Sequence, residues 1–379
     1  MFCVAEEKNR FYTKDNTSFC SWRLLIRHYY LILISILLLN TFLWSMCISS
    51  GQADSQLARR DKAFSINFRD NKYGWIVGDN GLALRTEDGG GSWQRVSMSE
   101  DYTFNDVYFV GKKGWIVGGG GVILHTDDSG ITWSTQSATG GGPPTLEIST
   151  GADRTCPVVE PSSALRQTLM KVFFIDQDKG ITVGADGTIL RTEDGGINWI
   201  NVSPNLLEIL PAELIDRGVT SVNLYDVLFL NETSGWVVGD WGTILCTADE
   251  GKTWKVSHIG HFPPLFSISF KNLKEGWTVG QNGFALKTDN GGDTWTKFSI
   301  DTENSLYRIQ VKEDYGVIVG DQAITFESND GGKTWRSINS NLQPPYPWFV
   351  DVCLLPSNSA RIVTVGKGII KDTKIGSNQ

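Results

Sequence analysis

The chain has 379 residues, of which 40% are hydrophobic and 20% charged, with a formal net charge of −8. Those proportions belong to a globular protein with a substantial core and exclude disorder as its organising state. The acidic balance excludes non-specific nucleic-acid binding, which requires a basic face.

Residues 1–22 read as unstructured, and Arg23 and Arg27 introduce an apolar run over residues 29–48 that carries no acid and no Lys or Arg. A run of that length is sufficient to cross a bilayer as a helix. It is read as a signal peptide or a single-pass anchor within a leader of residues 1–53, separate from the fold. The small residues Ser49, Ser50, Gly51 and Ala53 would suit cleavage, whereas the long basic-flanked segment before them would suit retention. Cys47 follows Trp44 and Met46, where a lipidation site carries small residues, which disfavours a lipoprotein. Basic residues precede the segment and the bulk of the chain follows it, so residues 54–376 are expected on the extracytoplasmic side, in periplasm, lumen or medium. Beyond residue 53 there are 29 basic and 39 acidic residues, a net charge near −10, and the cysteines Cys156, Cys246 and Cys353. An odd number of cysteines without metal-type spacing predicts neither a disulfide framework nor a structural metal, and no cofactor is expected.

From residue 74 a twenty-residue unit recurs six times, at 74–93, 114–133, 180–199, 235–254, 276–295 and 316–335. The first copy reads GWIVGDNGLALRTEDGGGSW and the fifth GWTVGQNGFALKTDNGGDTW. Fixed periods of about 40 residues mark radial or stacked architectures. Each copy resolves into four short strands, A to D; in the second they fall at 104–110, 114–118, 122–126 and 132–137. A four-strand meander cannot bury both faces alone, and packing it radially against its copies gives an all-β propeller. Residues 348–354, 361–365 and 368–373 read as strands A, B and C of a seventh blade without its outer strand. Closure of the ring is therefore expected from residues 56–62. Two D-to-A connections are enlarged: 134–168, rich in Gly and Pro, reads as a loop, and 204–221, with LLEILPAELIDRG, as a short helix. D-to-A links and B–C turns share one face of a propeller, so both insertions are expected beside Asp79, Asp186, Asp240, Trp241, Gln281 and Asp321 in the B–C turns.

Each unit ends on Ser/Thr-x-Asp-x-Gly-x-x-Trp, with Asp88, Asp128, Asp194, Asp249, Asn290 and Asp330 at the acidic position. Hydroxyl and carboxylate side chains here suit a self-bonded turn, followed by a Trp packed on the sheet whose indole N–H needs a partner. Six copies spread around a rim cannot converge on one substrate, which assigns these aspartates to structure rather than catalysis or metal binding. Trp75, Trp115, Trp236 and Trp277 are assigned to packing between blades.

The motif is that of the Asp-box, or bacterial neuraminidase repeat, of sialidases, some endoglucanases and sortilin-type receptors. The longer unit resembles the photosystem II stability and assembly factor family of plastids and cyanobacteria, over roughly residues 60–370. The resemblance implies a lumenal or periplasmic propeller without enzymatic activity that binds newly made reaction-centre protein, with an arginine-rich patch implicated. By that resemblance Arg85, Arg191 and Lys287, which precede the box Ser/Thr, are candidate partner contacts. The alternative for each is solvated strand surface.

One polar position on strand A runs through the copies as Ser65, Asp106, Lys171, Asp226, Ser267, Arg308 and Asp351. Because strand A is innermost, these residues are expected as a ring in the axial channel, or else as groups that merely satisfy neighbouring backbone. With Tyr307 nearby, they also keep open a carbohydrate-active enzyme of sialidase or endoglucanase type, whose chemistry needs carboxylates facing a substrate. The preferred expectation is a monomeric, extracytoplasmic, partner-binding propeller whose partner is a membrane-protein assembly intermediate.

Overall fold

The structure, a computed structural model, describes residues 57–58, 60–98, 102–136, 167–338, 348–355 and 361–374. The leader with its apolar run at 29–48, and most of the 134–168 insertion with Cys156, lie outside the described residues. Among the described residues no helix is long and apolar enough to cross a membrane.

Among the described residues, six antiparallel sheets of four strands and one of three account for nearly all the regular structure. Blade 1 comprises Ala63–Phe68, Gly74–Gly78, Ala83–Thr86 and Gln94–Arg95, each paired with the next in chain order. Blades 2 to 6 repeat the meander, beginning at Phe104–Val110, Leu169–Phe174, Leu224–Phe229, Leu265–Phe270 and Leu306–Lys312. Blade 7 holds Phe349–Leu355, Arg361–Gly366 and Ile369–Lys374. Each strand A packs on the strand A of both neighbours, and blade 7 returns to blade 1, so the sheets close into a seven-bladed propeller.

Burial follows from the sequence of strand B, which has no polar-out face. In all six four-stranded blades its Gly-aromatic-apolar-apolar-Gly pattern, or a close variant, is buried throughout because both sheet faces meet other blades. A β-carbon at the first glycine, Gly74, would lie 2.6 Å from the Phe68 ring, so the ring occupies the space a side chain would need. Between blades the aromatics form a repeated sandwich. Trp115 of blade 2 stacks on Phe174 of blade 3 at 3.4 Å, and Trp199 of the blade 3 box meets the same ring edge-on at 5.9 Å. Trp75, Phe109 and Trp133 repeat it, as do Trp236, Phe270 and Trp295. The indoles of Trp115, Trp236 and Trp277 donate to the box carbonyls of Gly195, Gly291 and Gly332 in the following blade.

The seam departs from expectation. Residues 56–62 were expected to supply the missing outer strand, but the described ones reach blade 7 at its B–C turn instead. Lys62 bridges Lys367, Gly368 N–H donates to the Asp61 carbonyl, and Leu57 is buried with Leu355, Val363 and Val365. The connection from Lys62 into strand A of blade 1 is too short to run out to the rim and back, which places this stretch under the turn. At the axis the closure is tighter: Asp351 of blade 7 accepts from the Ile66 N–H at 3.0 Å and lies 3.1 Å from Ser65 Oγ.

Candidate binding site

The box aspartates are consumed by their own turns. In blade 2 the Thr126 hydroxyl donates to Asp128 Oδ1 at 2.7 Å and accepts from Gly130 N–H, while Asp128 takes the N–H and hydroxyl of Thr132. The same closed set recurs around Asp88, Asp194, Asp249 and Asp330. Asn290 preserves the geometry by donating from Nδ2 to Thr294. The donated bonds, from Thr132 above all, hold Asp128 at about 2, and those from Thr253 do the same for Asp249. Among the described residues no His, Cys, Asp and Glu group is arranged to hold a metal ion. One expectation fails here. The buried indole N–H groups of Trp93, Trp199, Trp254, Trp295 and Trp335 have no hydrogen-bond partner. Most of these rings meet a strand-A phenylalanine edge-on, and packing decided their placement rather than a polar tip.

Arg85, Arg191 and Lys287 fall at the same register of blades 1, 3 and 5 and are not brought together. Arg85 pairs with Glu87 at 2.8 Å and Lys287 with Asp289 at 2.8 Å, each the acid two residues on. Arg191 is buried, paired with Glu193 and Glu250 and donating to the Glu250 carbonyl.

The strand-A polar residues do converge. Asp106 accepts from Ser65 at 2.6 Å, from Lys171 Nζ at 2.8 Å and from the Val172 N–H at 2.9 Å. Asp226 accepts from Ser267 Oγ, the Ile268 N–H and Arg308 Nη1, the last at 2.7 Å. Arg308 Nε lies 3.1 Å from Asp351 Oδ1, an ion pair at an angle that makes no hydrogen bond. Each aspartate also takes a main-chain N–H of the next strand A, so both expectations hold at once: the groups form an axial ring and satisfy backbone. Burial pushes the Asp106 carboxyl up despite Lys171, and it works against the Arg308 charge, which Asp226, Asp351 and Asp106 nevertheless hold firmly. Carboxylates this buried, each committed to a charged partner and to main-chain N–H donors, are not disposed to face a glycosidic bond.

Sequence reasoning named Tyr307 but passed over the equivalent residue before the other six ring positions. In all seven blades the A–B register slips there, a β-bulge at Phe64, Asn105, Met170, Tyr225, Phe266, Tyr307 and Val350. A bulge turns the extra side chain out of the sheet alternation. All seven are half-buried, and neighbours touch across blades: Tyr225 with Phe266 at 5.4 Å, Phe266 with Tyr307 at 5.6 Å, and Asn105 Nδ2 with Met170 Sδ at 3.8 Å. Tyr225 and Tyr307 donate to Asp240 and Asp321 of the B–C turns, at 2.8 and 3.0 Å. The bulged residues therefore collar the axial mouth on the face of the B–C turns.

That face also carries the 204–221 insertion. Leu206–Ile209 forms a 3-10 turn and Ala212–Asp216 a short helix, α1. Leu206, Leu210 and Leu214 bury against blades 3 and 4, which leaves Leu207, Ile209 and Ile215 exposed with Glu208, Glu213 and Asp216. Trp241 packs on the same cluster from a left-handed turn position, φ 57°, that is uncommon for so large a residue.

A sequence profile described as photosynthesis system II assembly factor YCF48 matches residues 48–156, 207–303 and 263–379. The chain belongs to the YCF48 family. Solved YCF48 structures share its fold. One, described as YCF48 bound to D1 peptide, is 21% identical with TM-score 0.60, and the match covers 83% of this chain and 94% of that one. YCF48 from Cyanidioschyzon merolae is 20% identical with TM-score 0.62, over 85% of this chain and 97% of that one. An ancestral GH74 enzyme also matches in fold, at 10% identity and TM-score 0.60, over 86% of this chain and 46% of the enzyme. No curated protein matches the sequence.

Proposed function

We propose that this YCF48-family chain is a non-enzymatic assembly factor that holds a newly made reaction-centre polypeptide of the D1 type during photosystem II biogenesis. The observation that carries this reading is the match to the YCF48 profile over residues 48–156, 207–303 and 263–379. The relative solved with a D1 peptide supports a peptide ligand over a folded partner surface alone. The proposal places the propeller on the extracytoplasmic side, delivered or anchored by the apolar run at 29–48, and acting as a monomer.

Affinity purification of the tagged full chain from detergent-solubilised membranes after pulse labelling tests it. Recovery of labelled D1 supports the proposal, and recovery of unrelated envelope proteins alone removes it. Reversing the charges of Arg85 and Lys287 together tests the basic register, since unchanged capture of D1 would remove it from the contact.

The glycosidase alternative has a shared fold behind it, but the axial carboxylates that it would use are committed to Ser, Lys, Arg and main-chain donors.

A further inference from the structure

We infer that the axial mouth on the insertion-bearing face is the peptide site, and that it takes an apolar segment carrying lysine or arginine. The inference rests on the partner-binding reading above and locates it.

The collar supplies the apolar half of the recognition. Phe64, Met170, Phe266 and Val350 present hydrocarbon, thioether or ring surface, and Tyr225 and Tyr307 present ring faces with their hydroxyls tied back. A propeller gains nothing in sheet stability from a bulge in every innermost strand, because each one breaks a ladder. What the seven bulges accomplish is to keep these side chains half-exposed around one opening while the residues on either side stay in the core. Seven half-buried residues on seven rigid strands form a pre-organised cup, the arrangement that limits the entropy lost on binding.

The rim supplies the charge. Asp79, Asp186, Asp240 and Asp321 stand in four of the B–C turns around the mouth, Asp79 paired with Lys62 at 3.3 Å, while Lys367 occupies the B–C turn of blade 7, so the surplus of acid lies on the side of blades 3, 4 and 6. Glu208, Glu213 and Asp216 against the single Arg217 add net negative charge on the exposed insertion. Below the collar the ring holds three aspartates against Lys171 and Arg308, so the floor offers no surplus positive charge. An acidic rim over aromatic faces selects a cation next to apolar groups, through Coulomb attraction and cation–π contact together. The same charge disfavours an anionic bilayer surface as the occupant.

The test uses the full chain in detergent and a fluorescein-labelled synthetic peptide of alternating phenylalanine and lysine, read by anisotropy. Its counterparts carry glutamate for lysine, or serine for phenylalanine. Binding of the first at least tenfold tighter than both others is expected, as is a loss of tenfold or more in Phe64→Ser/Phe266→Ser. Ile131→Ser/Ile197→Ser, in boxes on the opposite face, should leave the Kd unchanged. In case the collar variant folds poorly, a photo-reactive phenylalanine in the peptide maps the site on the unaltered chain. Cross-links to Phe64, Met170, Phe266 or Tyr307 support the cup, and cross-links confined to the outer strands overturn it. Equal binding of the three peptides, self-association abolished by the collar variant, or vesicle binding abolished by it would each overturn the assignment. Capture of D1 retained by a folded collar variant sinks the cup alone, whereas peptide binding by a chain that never captures D1 sinks only the assembly role.

Discussion

Arg308 is the residue on which the axial ring most depends, and replacing it with methionine gives a measurable consequence. Its guanidinium serves two aspartates on different blades, at 2.7 Å to Asp226 and 3.1 Å to Asp351, whose side chains are only 3% and 5% exposed. Removing one partner of a buried pair commonly costs 3–5 kcal/mol, because a charge is left without compensation. Arg308 itself is 18% exposed, so water offsets part of the loss and about 3 kcal/mol is expected. With a urea m-value of about 3 kcal/mol/M, the unfolding midpoint should fall by about 1 M at pH 7. Stranded carboxylates bind a proton more readily in the folded than in the unfolded chain, so the deficit is greatest at high pH and shrinks as the pH falls. Tryptophan-fluorescence titrations at pH 7 and pH 5 should therefore show the gap between Arg308→Met and the unaltered chain narrowing at pH 5. A midpoint shift below about 0.3 M, or a deficit independent of pH, would refute the assignment of Arg308 as the charge that closes the ring.

Three further outcomes follow from the geometry. Trp236→Phe, which deletes an indole N–H bonded to the Gly291 carbonyl, should cost about 1 kcal/mol more in urea unfolding than Trp75→Phe, whose indole has no acceptor. Gly114→Ala would set a β-carbon 2.3 Å from the Phe109 ring, and an overpacking loss of about 1–3 kcal/mol is expected, reduced when Phe109→Leu is added. Asp128 and Asp249 titrate at about 2 when folded, below the ordinary carboxylate value, so their contribution is present above about pH 4 and is lost as the pH falls toward 2. Thermal melts from pH 4.5 to 2 should accordingly fall less steeply for Asp128→Asn/Asp249→Asn than for the unaltered chain.

The blades were legible because each is specified locally. The invariant spacing from Gly to Trp, strand B with its paired glycines, and the Asp-box each satisfy their own turn or sandwich, and they carry the same meaning in every copy. The axial ring could also be read, since Asp106, Asp226, Arg308 and Asp351 stand out as polar residues in strands that are otherwise apolar. The collar was less visible. A residue one place before a ring position falls out of phase in a two-residue alternation, and only the bulge turns it toward the mouth. Its signal was nevertheless present in the sequence, where Phe64, Tyr225, Phe266 and Tyr307 put an aromatic at that place in four copies. The seam was misread because an absent outer strand invites a replacement by pairing. The flank instead contributes Leu57 and the Lys62 bridge, contacts with no pattern of their own.

The axial stitching has a consequence for biosynthesis. Asp351 lies near the end of the chain, yet it holds Ser65 and Ile66 at the beginning and Arg308 two hundred and forty-odd residues later. While residues up to about 374 are still being made, Arg308 lacks one of its acids and the first blade lacks its neighbour. The six complete blades can form their meanders as they emerge, because those contacts are local, but the circle has no stable closed form until the last strand arrives. A chain cut short after the sixth box would thus carry all six Asp-boxes and still present an open wedge of apolar surface to proteases and chaperones.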